Sequence, residues 1–188
     1  MVEKEALREK LAQWEGTVSA SSLPAWDAFP ALPLYMDQVV FLLNQYLALL
    51  PGQAAEKQVT PAMINNYVKL KIIPPPMKKR YGRAHLAYLV IVCLCKQTMN
   101  TADIKKLIPL GPAEEDVRAV YEGFVSVFHD AQRSFCQEAR KAAEPLLSGE
   151  DQSVTRFVFR TVTLATLAKL LSEEILCLDG GEDAPSAC

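Results

Sequence analysis

Residues 60–108 read TPAMINNYVKLKIIPPPMKKRYGRAHLAYLVIVCLCKQTMNTADIKKLI, and this stretch decides how the middle of the chain is expected to fold. Thr60 can cap a helix that starts at Pro61. Proline suits the first helical position, because the N–H group that it lacks would be unpaired there. The helix is expected to extend to about Leu70, with Tyr67 and Leu70 on its buried face.

A turn and a basic hairpin are predicted next. The three prolines at 74–76 cannot continue a helix, and residues 77–83 (MKKRYGR) predict a short hairpin with a basic tip. Residues 84–96 are apolar on almost every helical face, so they predict the most deeply buried helix. Thr101 can cap a last short helix over residues 102–108.

Positive charge is concentrated around this stretch. Residues 57–102 contain eight Lys and Arg residues and no Asp or Glu, whereas the rest of the chain carries 12 basic and 22 acidic residues. We call residues 57–102 the basic island. An island of this kind in an otherwise acidic protein is what contact with a polyanion requires. A solvated basic face without a ligand is the alternative.

Two helices are predicted before the island. Residues 2–14 have apolar side chains at helical spacing, and Gly16 is expected to end this helix. Residues 34–50 predict a second helix, which the Pro-Gly pair at 51–52 should stop. Between them the chain is rich in Ser, Ala and Pro, so we expect an irregular segment held to the domain by Trp26 and Phe29.

Two long helices are predicted after a breaker at residues 109–112. The first spans residues 113–147, and its apolar positions alternate steps of four and three over almost four heptads. These positions are Val117, Tyr121, Phe124, Phe128, Ala131, Phe135, Ala139 and Ala142. This heptad seam could be a core within the subunit, a dimer interface or a ligand pocket. The second helix, residues 153–177, is more apolar than a solitary surface helix should be.

Composition favours a protein of the reducing cytoplasm. Half of the 188 residues are apolar, and the five cysteines have no spacing typical of a disulfide framework. The first ten residues are mostly charged, unlike a signal peptide. No clean apolar run approaches the roughly 20 residues needed to cross a bilayer, so no membrane contact is predicted.

No enzyme is predicted, and neither a cofactor nor a metal site is expected. His85 and His129 lie on separate predicted helices, the first at a helix start or beside a phosphate and the second at the surface. Cys93 and Cys95 are two apart and point to different faces, so they cannot form a local Cys-x-x-Cys clip. The sequence has no Gly-rich phosphate loop and no nucleophile elbow.

The stretch from 60 to 108 resembles the winged helix-turn-helix domain of MerR-type regulators. The matching positions are Ile64, Tyr67, residues 70–75, Arg80 with Tyr81, residues 86–94 and residues 103–108. The whole chain, with LPLYMDQVVFLLN at residues 32–44, resembles an uncharacterised bacterial family that carries such a domain in its middle. Two features depart from the MerR pattern: the connection over residues 50–60 is longer, and Lys71 stands where those regulators have glycine.

The resemblance implies an all-α fold with a small β-wing. It divides the chain into an N-terminal helix and arm (1–33), the winged helix-turn-helix domain (34–110), a helical dimerisation or packing region (111–178) and a disordered tail (179–188).

Sequence-specific binding to double-stranded DNA, and with it transcriptional regulation, is the expected function. The helix over residues 60–70 would enter the major groove, and the hairpin over residues 77–83 would contact phosphates. The expected contact residues are Thr60, Asn65, Asn66, Tyr67, Lys69, Lys71, Lys78, Lys79, Arg80, Tyr81 and Arg83. The alternative is a helical protein–protein interaction module that kept the fold and lost DNA binding.

A homodimer is also expected, because one recognition helix reads only a few base pairs. MerR-type regulators dimerise through a long helix that follows the DNA-binding domain. The expected interface residues are Val117, Tyr121, Phe124, Phe128, Phe135, Phe157, Leu164, Leu167 and Leu171. The sequence predicts no recognisable small-molecule effector site.

Overall fold

Helices make up the regular secondary structure, as the sequence predicts. The computed structural model describes residues 4–48, 59–108, 113–148 and 154–179. The helices are α1 (Lys4–Ala20), a short 3-10 helix (Trp26–Ala28), α2 (Met36–Tyr46), α3 (Pro61–Lys69), α4 (Arg83–Cys95), α5 (Thr101–Leu107), α6 (Glu114–Ser148) and α7 (Val154–Asp179). Extended pairing in this part of the chain is limited to two isolated bridges. The all-α class is therefore confirmed.

Helix α4 lies at the centre of the core. Every residue from 86 to 93 is buried, because the helix is apolar on all sides and packs against both α2 and α6. The prediction of a deeply buried helix over residues 84–96 is confirmed. Leu94, near its end, is only half-buried.

The segment before α2 is anchored by aromatic side chains, as predicted. Trp26 is 4% and Phe29 1% exposed. The Phe29 and Tyr121 ring centroids lie 5.1 Å apart, and the Tyr121 hydroxyl donates a 2.7 Å hydrogen bond to the carbonyl of Pro24. This segment therefore closes the core over the first turns of α6.

The heptad seam of α6 passes through two environments. Val117 and Tyr121 are buried in the subunit core, and Phe124 and Phe128 pack partly against it. Phe135 is 48% exposed. The expectation that Val117 and Tyr121 form a dimer interface is wrong, because Val117 is 3% and Tyr121 0% exposed in the subunit core, and the Trp26 and Phe29 rings lie against Tyr121.

Helix α1 continues to Ala20, so Gly16 does not end it. A glycine inside a helix costs about 1 kcal/mol relative to alanine but leaves the backbone hydrogen bonds in place. Contacts with α6 support the helix on both sides of the glycine. Before the glycine, the Trp14 and Phe135 rings meet edge to face at 5.9 Å; after it, Gln132 Nε2 donates to the Val18 carbonyl.

Several predicted boundaries shift by a few residues. Helix α2 starts only at Met36, because Leu34 is extended and the Tyr35 N–H donates to Gln38 Oε1 at 2.9 Å. Asn100, rather than Thr101, caps α5, accepting the Asp103 N–H at 3.0 Å. The predicted stop at 51–52, the breaker at 109–112 and residues 180–188 of the predicted tail lie outside the described residues, whereas Asp179 is the last residue of α7.

The end of α3 is closed by two hydrogen bonds around Lys71. The Ile72 N–H donates to the Tyr67 carbonyl, and the Lys71 N–H to the Val68 carbonyl, both at 3.0 Å. This is a Schellman motif, in which the residue after the C-cap adopts a left-handed backbone and is usually glycine. Lys71 has φ 56°, so it takes the backbone conformation that a glycine would take.

We expect Lys71→Gly to raise the free energy of unfolding by about 0.5–1 kcal/mol, because glycine relieves the left-handed strain. The matched control is Lys69→Gly, which removes the same charge from a helical position and should lower stability by about the same amount. Urea unfolding of both variants checks the pair. Destabilisation by Lys71→Gly would contradict this account of the turn.

Helix α7 leaves most of its surface in water. It contacts α5 and α6, and Leu176 is its one buried side chain among those the structure describes. Its exposed large apolar residues are Val158, Phe159, Val162, Leu164, Leu167, Leu170, Leu171, Ile175 and Leu178, between 46% and 74% exposed. In the described part of the chain, no helix is long and apolar enough to cross a membrane.

Candidate nucleic-acid interface

Helix α3 divides its side chains between the core and the solvent. Ile64 and Tyr67, three residues apart, are buried, whereas Asn65, Asn66 and Lys69 are exposed. A helix places residues three and four apart on the same side, so the polar residues between the buried ones form one outer face. This face carries two amides and one positive charge, and it is accessible to a ligand.

Two expectations about this helix are corrected. Tyr67 is 4% exposed, and burial, together with the nearby Cys93, raises its pKa to about 12; it is a core residue that a ligand cannot reach. Leu70, expected on the buried face, is 43% exposed. Thr60 accepts the Met63 N–H at 3.3 Å, which confirms its role as the helix cap.

The basic hairpin turns at two lysines. Lys78 and Lys79 have φ 48° and 64°, and the Arg80 N–H donates to the Met77 carbonyl at 2.9 Å. Two consecutive left-handed residues closed by this hydrogen bond form a type I′ turn, in which Asn-Gly is the favoured pair. Both lysine side chains are exposed, so the turn presents two positive charges at its tip.

A backbone bridge fixes the hairpin to the start of α2. Leu34 and Tyr81 exchange two hydrogen bonds, 2.8 Å and 2.9 Å long. Tyr81 is 3% exposed, because this pairing turns its ring into the core. The expectation that the Tyr81 side chain contacts a ligand is therefore corrected, and its role is to hold the hairpin.

The two arginines of the hairpin region are held by different partners. Arg80 donates to the Tyr35 hydroxyl at 2.8 Å, and its guanidinium carbon lies 4.8 Å from the centre of the Tyr35 ring. Arg83 is half-buried and donates through Nε to the Phe29 carbonyl at 3.1 Å. Arg80 is thus an exposed cation in a fixed position, whereas Arg83 mainly ties the N-terminal segment to α4.

His85 clamps the hairpin to the proline turn. Its Nδ1 accepts the Gly82 N–H at 3.1 Å, and its Nε2 lies 3.3 Å from the Pro75 carbonyl. Nδ1 as acceptor leaves Nε2–H as the donor, which requires the neutral imidazole. Burial lowers the pKa of His85, although the bond to Pro75 opposes this. His85 is expected either at a helix start or beside a phosphate, and its position at the start of α4 is confirmed.

Residues from three parts of the chain line one open cleft beside the hairpin. The cleft has a volume of about 740 Å³, and its lining includes Tyr35, Met77, Lys78, Arg80, Arg83, His85 and Glu114. Lys78, Arg80 and Arg83 are therefore brought together here, and the lining also includes the carboxylate of Glu114. The described contacts join the hairpin to Tyr35 and α4 rather than to α3, whose Asn65, Asn66 and Lys69 form a separate exposed face.

Cys93 and His129 lie outside the cleft and are enclosed to different degrees. Burial raises the pKa of the Cys93 thiol to about 12. His129 is half-buried rather than at the surface, with its ring 5.8 Å from that of Phe128 and an enclosed Nε2 that has no hydrogen-bond partner. Among the described residues, no group of His, Cys, Asp or Glu could hold a metal ion.

Comparison with known families identifies one match. The model of a family described as a domain of unknown function, DUF1836, matches residues 24–124, more than half of the chain. The chain therefore belongs to this family. No curated protein and no solved structure matches it.

The matched residues coincide with the main core. The buried cluster begins at Leu23 and ends at Tyr121, close to the limits of the match. The family domain thus includes α2 to α5, the first turns of α6 and the aromatic segment around Trp26 and Phe29. Helix α1, the rest of α6, and α7 are additions to this core.

Proposed function

We propose that this protein is a sequence-specific DNA-binding regulator, and that residues 34–108 form a MerR-like winged helix-turn-helix. In this assignment α2 and α3 are the two helices and α3 enters the major groove. The hairpin at residues 77–80 is the wing. The Leu34–Tyr81 bridge supports the assignment, because a wing must be held at a fixed position relative to the helices.

The observation that carries the proposal is the choice of residue at the strained turns. Lys71, Lys78 and Lys79 are the non-glycine residues with positive φ in the described part of the chain. Such conformations cost about 1–2 kcal/mol each for residues other than glycine, and replacement by glycine recovers part of this, because glycine also loses more conformational entropy on folding. Three lysines at these exposed positions add charge where folding alone favours other residues, which supports contact with an anion.

The two surfaces would read DNA in different ways. Asn65 and Asn66 on α3 carry amides that can pair with an adenine edge, which gives sequence specificity. Lys78, Lys79 and Arg80 would contact phosphates, which positions the protein without reading sequence. Arg80 is already oriented by Tyr35, so less side-chain entropy is lost when it binds.

Selection of binding sites from random duplex DNA, followed by a salt titration, tests the proposal. We expect an enriched sequence and a binding constant that falls steeply with salt, because each neutralised phosphate releases about one counterion. Recovery of no preferred sequence, or a binding constant that salt does not change, would contradict a DNA-binding function.

We predict that Asn66→Ala reduces the preference for the selected site about 10-fold, since a good amide–adenine pair contributes about 1–3 kcal/mol of discrimination. Binding to random DNA and the salt dependence should stay unchanged, because the phosphate contacts remain. Gln137→Ala, which removes an exposed amide from α6, is the control. Competition binding measures both variants; equal preference in the two would exclude Asn66 from base recognition.

The regulator is proposed to act as a homodimer, because one α3 reads only a few base pairs. The exposed apolar side chains of α7 support this, together with Phe135 at the solvent-exposed end of the seam. Sedimentation equilibrium at micromolar concentration tests it, with twice the subunit mass as the expected result and a single monomeric species as the contrary one.

A protein partner bound mainly through apolar contacts is the second candidate, favoured by apolar side chains near the hairpin. Leu32, Phe41 and Met77 are 78%, 63% and 80% exposed, and such residues suit protein interfaces better than DNA contacts. Salt separates the two functions, because an apolar interface responds weakly to ionic strength whereas phosphate contacts respond strongly.

A further inference from the structure

One exposed stripe of α7 combines leucines with a charge near each end. Arg160, Leu164, Leu167, Leu171, Glu174 and Leu178 follow one another in steps of four, three, four, three and four residues, so they share one helical face. The four leucines are 48–74% exposed, and both charged residues are exposed. We call these six residues the α7 stripe. The buried Leu176 lies on another face of the helix, toward the subunit.

The exposed apolar surface of α7 is large enough for a stable interface. Seven of the nine exposed apolar side chains, all except Val158 and Val162, lie on the same half of the helix as Leu167. With roughly 100 Å² accessible on each, this half leaves on the order of 700 Å² of apolar surface in water. The largest patch on a typical monomer is about 300–600 Å². A stable dimer buries about 800 Å² on each partner, so a second α7 is a partner of the right size.

We propose that the α7 stripe is covered by the same stripe of a second copy of this chain, in an antiparallel helix pair with its two-fold axis at Leu167. Arg160 lies seven residues before Leu167 and Glu174 seven residues after it. Rotation about an axis at Leu167 therefore places Arg160 beside Glu174 of the partner subunit, and the same contact occurs twice. Leu164 of one copy, three residues before the axis, then lies beside Leu171 of the partner subunit, four residues after it, with an offset of one residue along the helix.

Charge decides between the antiparallel and the parallel arrangement. A parallel pair would place Arg160 beside Arg160 and Glu174 beside Glu174, and like charges across an interface are unfavourable. Charged residues of the same subunit do not prevent the contact between Arg160 and Glu174 of the partner subunit. Glu173, not Glu174, pairs with Lys169 at 3.4 Å, and Glu138, which lies near Arg160, is itself held by Lys141 at 2.9 Å.

The antiparallel pairing rests on the proposed homodimer. Charge reversal tests the pairing separately from the homodimer. In Arg160→Glu or Glu174→Arg, both symmetric contacts become repulsive, so each variant should dimerise at least 10-fold more weakly than wild type. The double variant exchanges the charges and should recover to within about threefold. An equimolar mixture of the two single variants should also recover, because their heterodimer contains two opposite-charge contacts.

Sedimentation equilibrium of the full chain gives the dissociation constants, and circular dichroism checks that each variant keeps its helices. Lys10→Glu and Glu9→Lys, at exposed positions on α1, control for the change in net charge of Arg160→Glu and Glu174→Arg respectively. A monomeric wild type would overturn the homodimer and the pairing together. A dimeric wild type whose affinity neither reversal changes would overturn only the antiparallel register. Loss in both single variants without recovery in the double variant or the mixture would overturn the Arg160–Glu174 contact.

Discussion

Leu89→Ala is expected to lower the free energy of unfolding by about 2–5 kcal/mol, through lost burial and the cavity left behind. Leu89 has no exposed surface, and the residues around it on α4 are buried as well. Because α4 is enclosed by α2 and α6, the core around this position has little room to close over a void. Most of the cavity should therefore persist.

Leu94→Ala is the matched control, since the same change is made one and a half turns further along the same helix. Leu94 is half-buried, so its surroundings can relax toward solvent, and we expect a loss of about 1–2 kcal/mol. Urea unfolding of both variants gives the comparison. If Leu89→Ala cost no more than Leu94→Ala, α4 would not be the centre of the core.

The sequence predicted the elements whose cause is local. Helix α4 was recognisable because an apolar run of helical length has no surface position to occupy. The start of α3 was recognisable because Thr60 and Pro61 each supply what a first helical turn needs. Trp26 and Phe29 were predicted as anchors because large aromatic side chains in an otherwise polar segment must pack somewhere.

Contacts between distant residues could not be predicted in this way. The Arg80–Tyr35 hydrogen bond joins residues 45 apart, and Arg83 reaches Phe29 across 54 residues. Arg83 looked like a phosphate ligand because its charge is visible in the sequence and its partner is not. Tyr67 was assigned to both the buried face and the binding site, and its helical spacing with Ile64 was the better guide.

The partner of the heptad seam also could not be predicted from the sequence. Steps of four and three predict that one face of α6 is covered, but the spacing is the same whether the cover comes from the same chain or a second one. The aromatic segment before α2 covers Tyr121. No comparable segment covers the stripe of α7 among the described residues, so this part of the predicted interface stays available for a partner, together with the half-exposed Phe135.

The left-handed turns were also beyond sequence reasoning, because lysine is a poor residue for positive φ. The second large effect, on DNA affinity, is expected for the variant that combines Lys78→Asn with Lys79→Gly. Asn-Gly is the favoured pair for a type I′ turn, so the variant should be more stable by about 1 kcal/mol. DNA binding should nevertheless weaken, by about 30–100-fold at low salt, because two phosphate contacts are lost.

This variant is informative because its expected effects on stability and on DNA affinity have opposite signs. An ordinary binding defect caused by partial unfolding would lower stability and affinity together, whereas here stability rises as affinity falls. The salt dependence should also become shallower by up to about two units, one for each lysine removed. Lys10→Gln with Lys141→Gln removes the same charge from exposed positions on α1 and α6, and this control should bind almost as well as wild type. Urea unfolding and salt titrations of both variants test whether Lys78 and Lys79 contact phosphates. A stabilised turn with unchanged DNA affinity would mean that the two lysines do not contact phosphates, and that the strain at the hairpin serves another ligand.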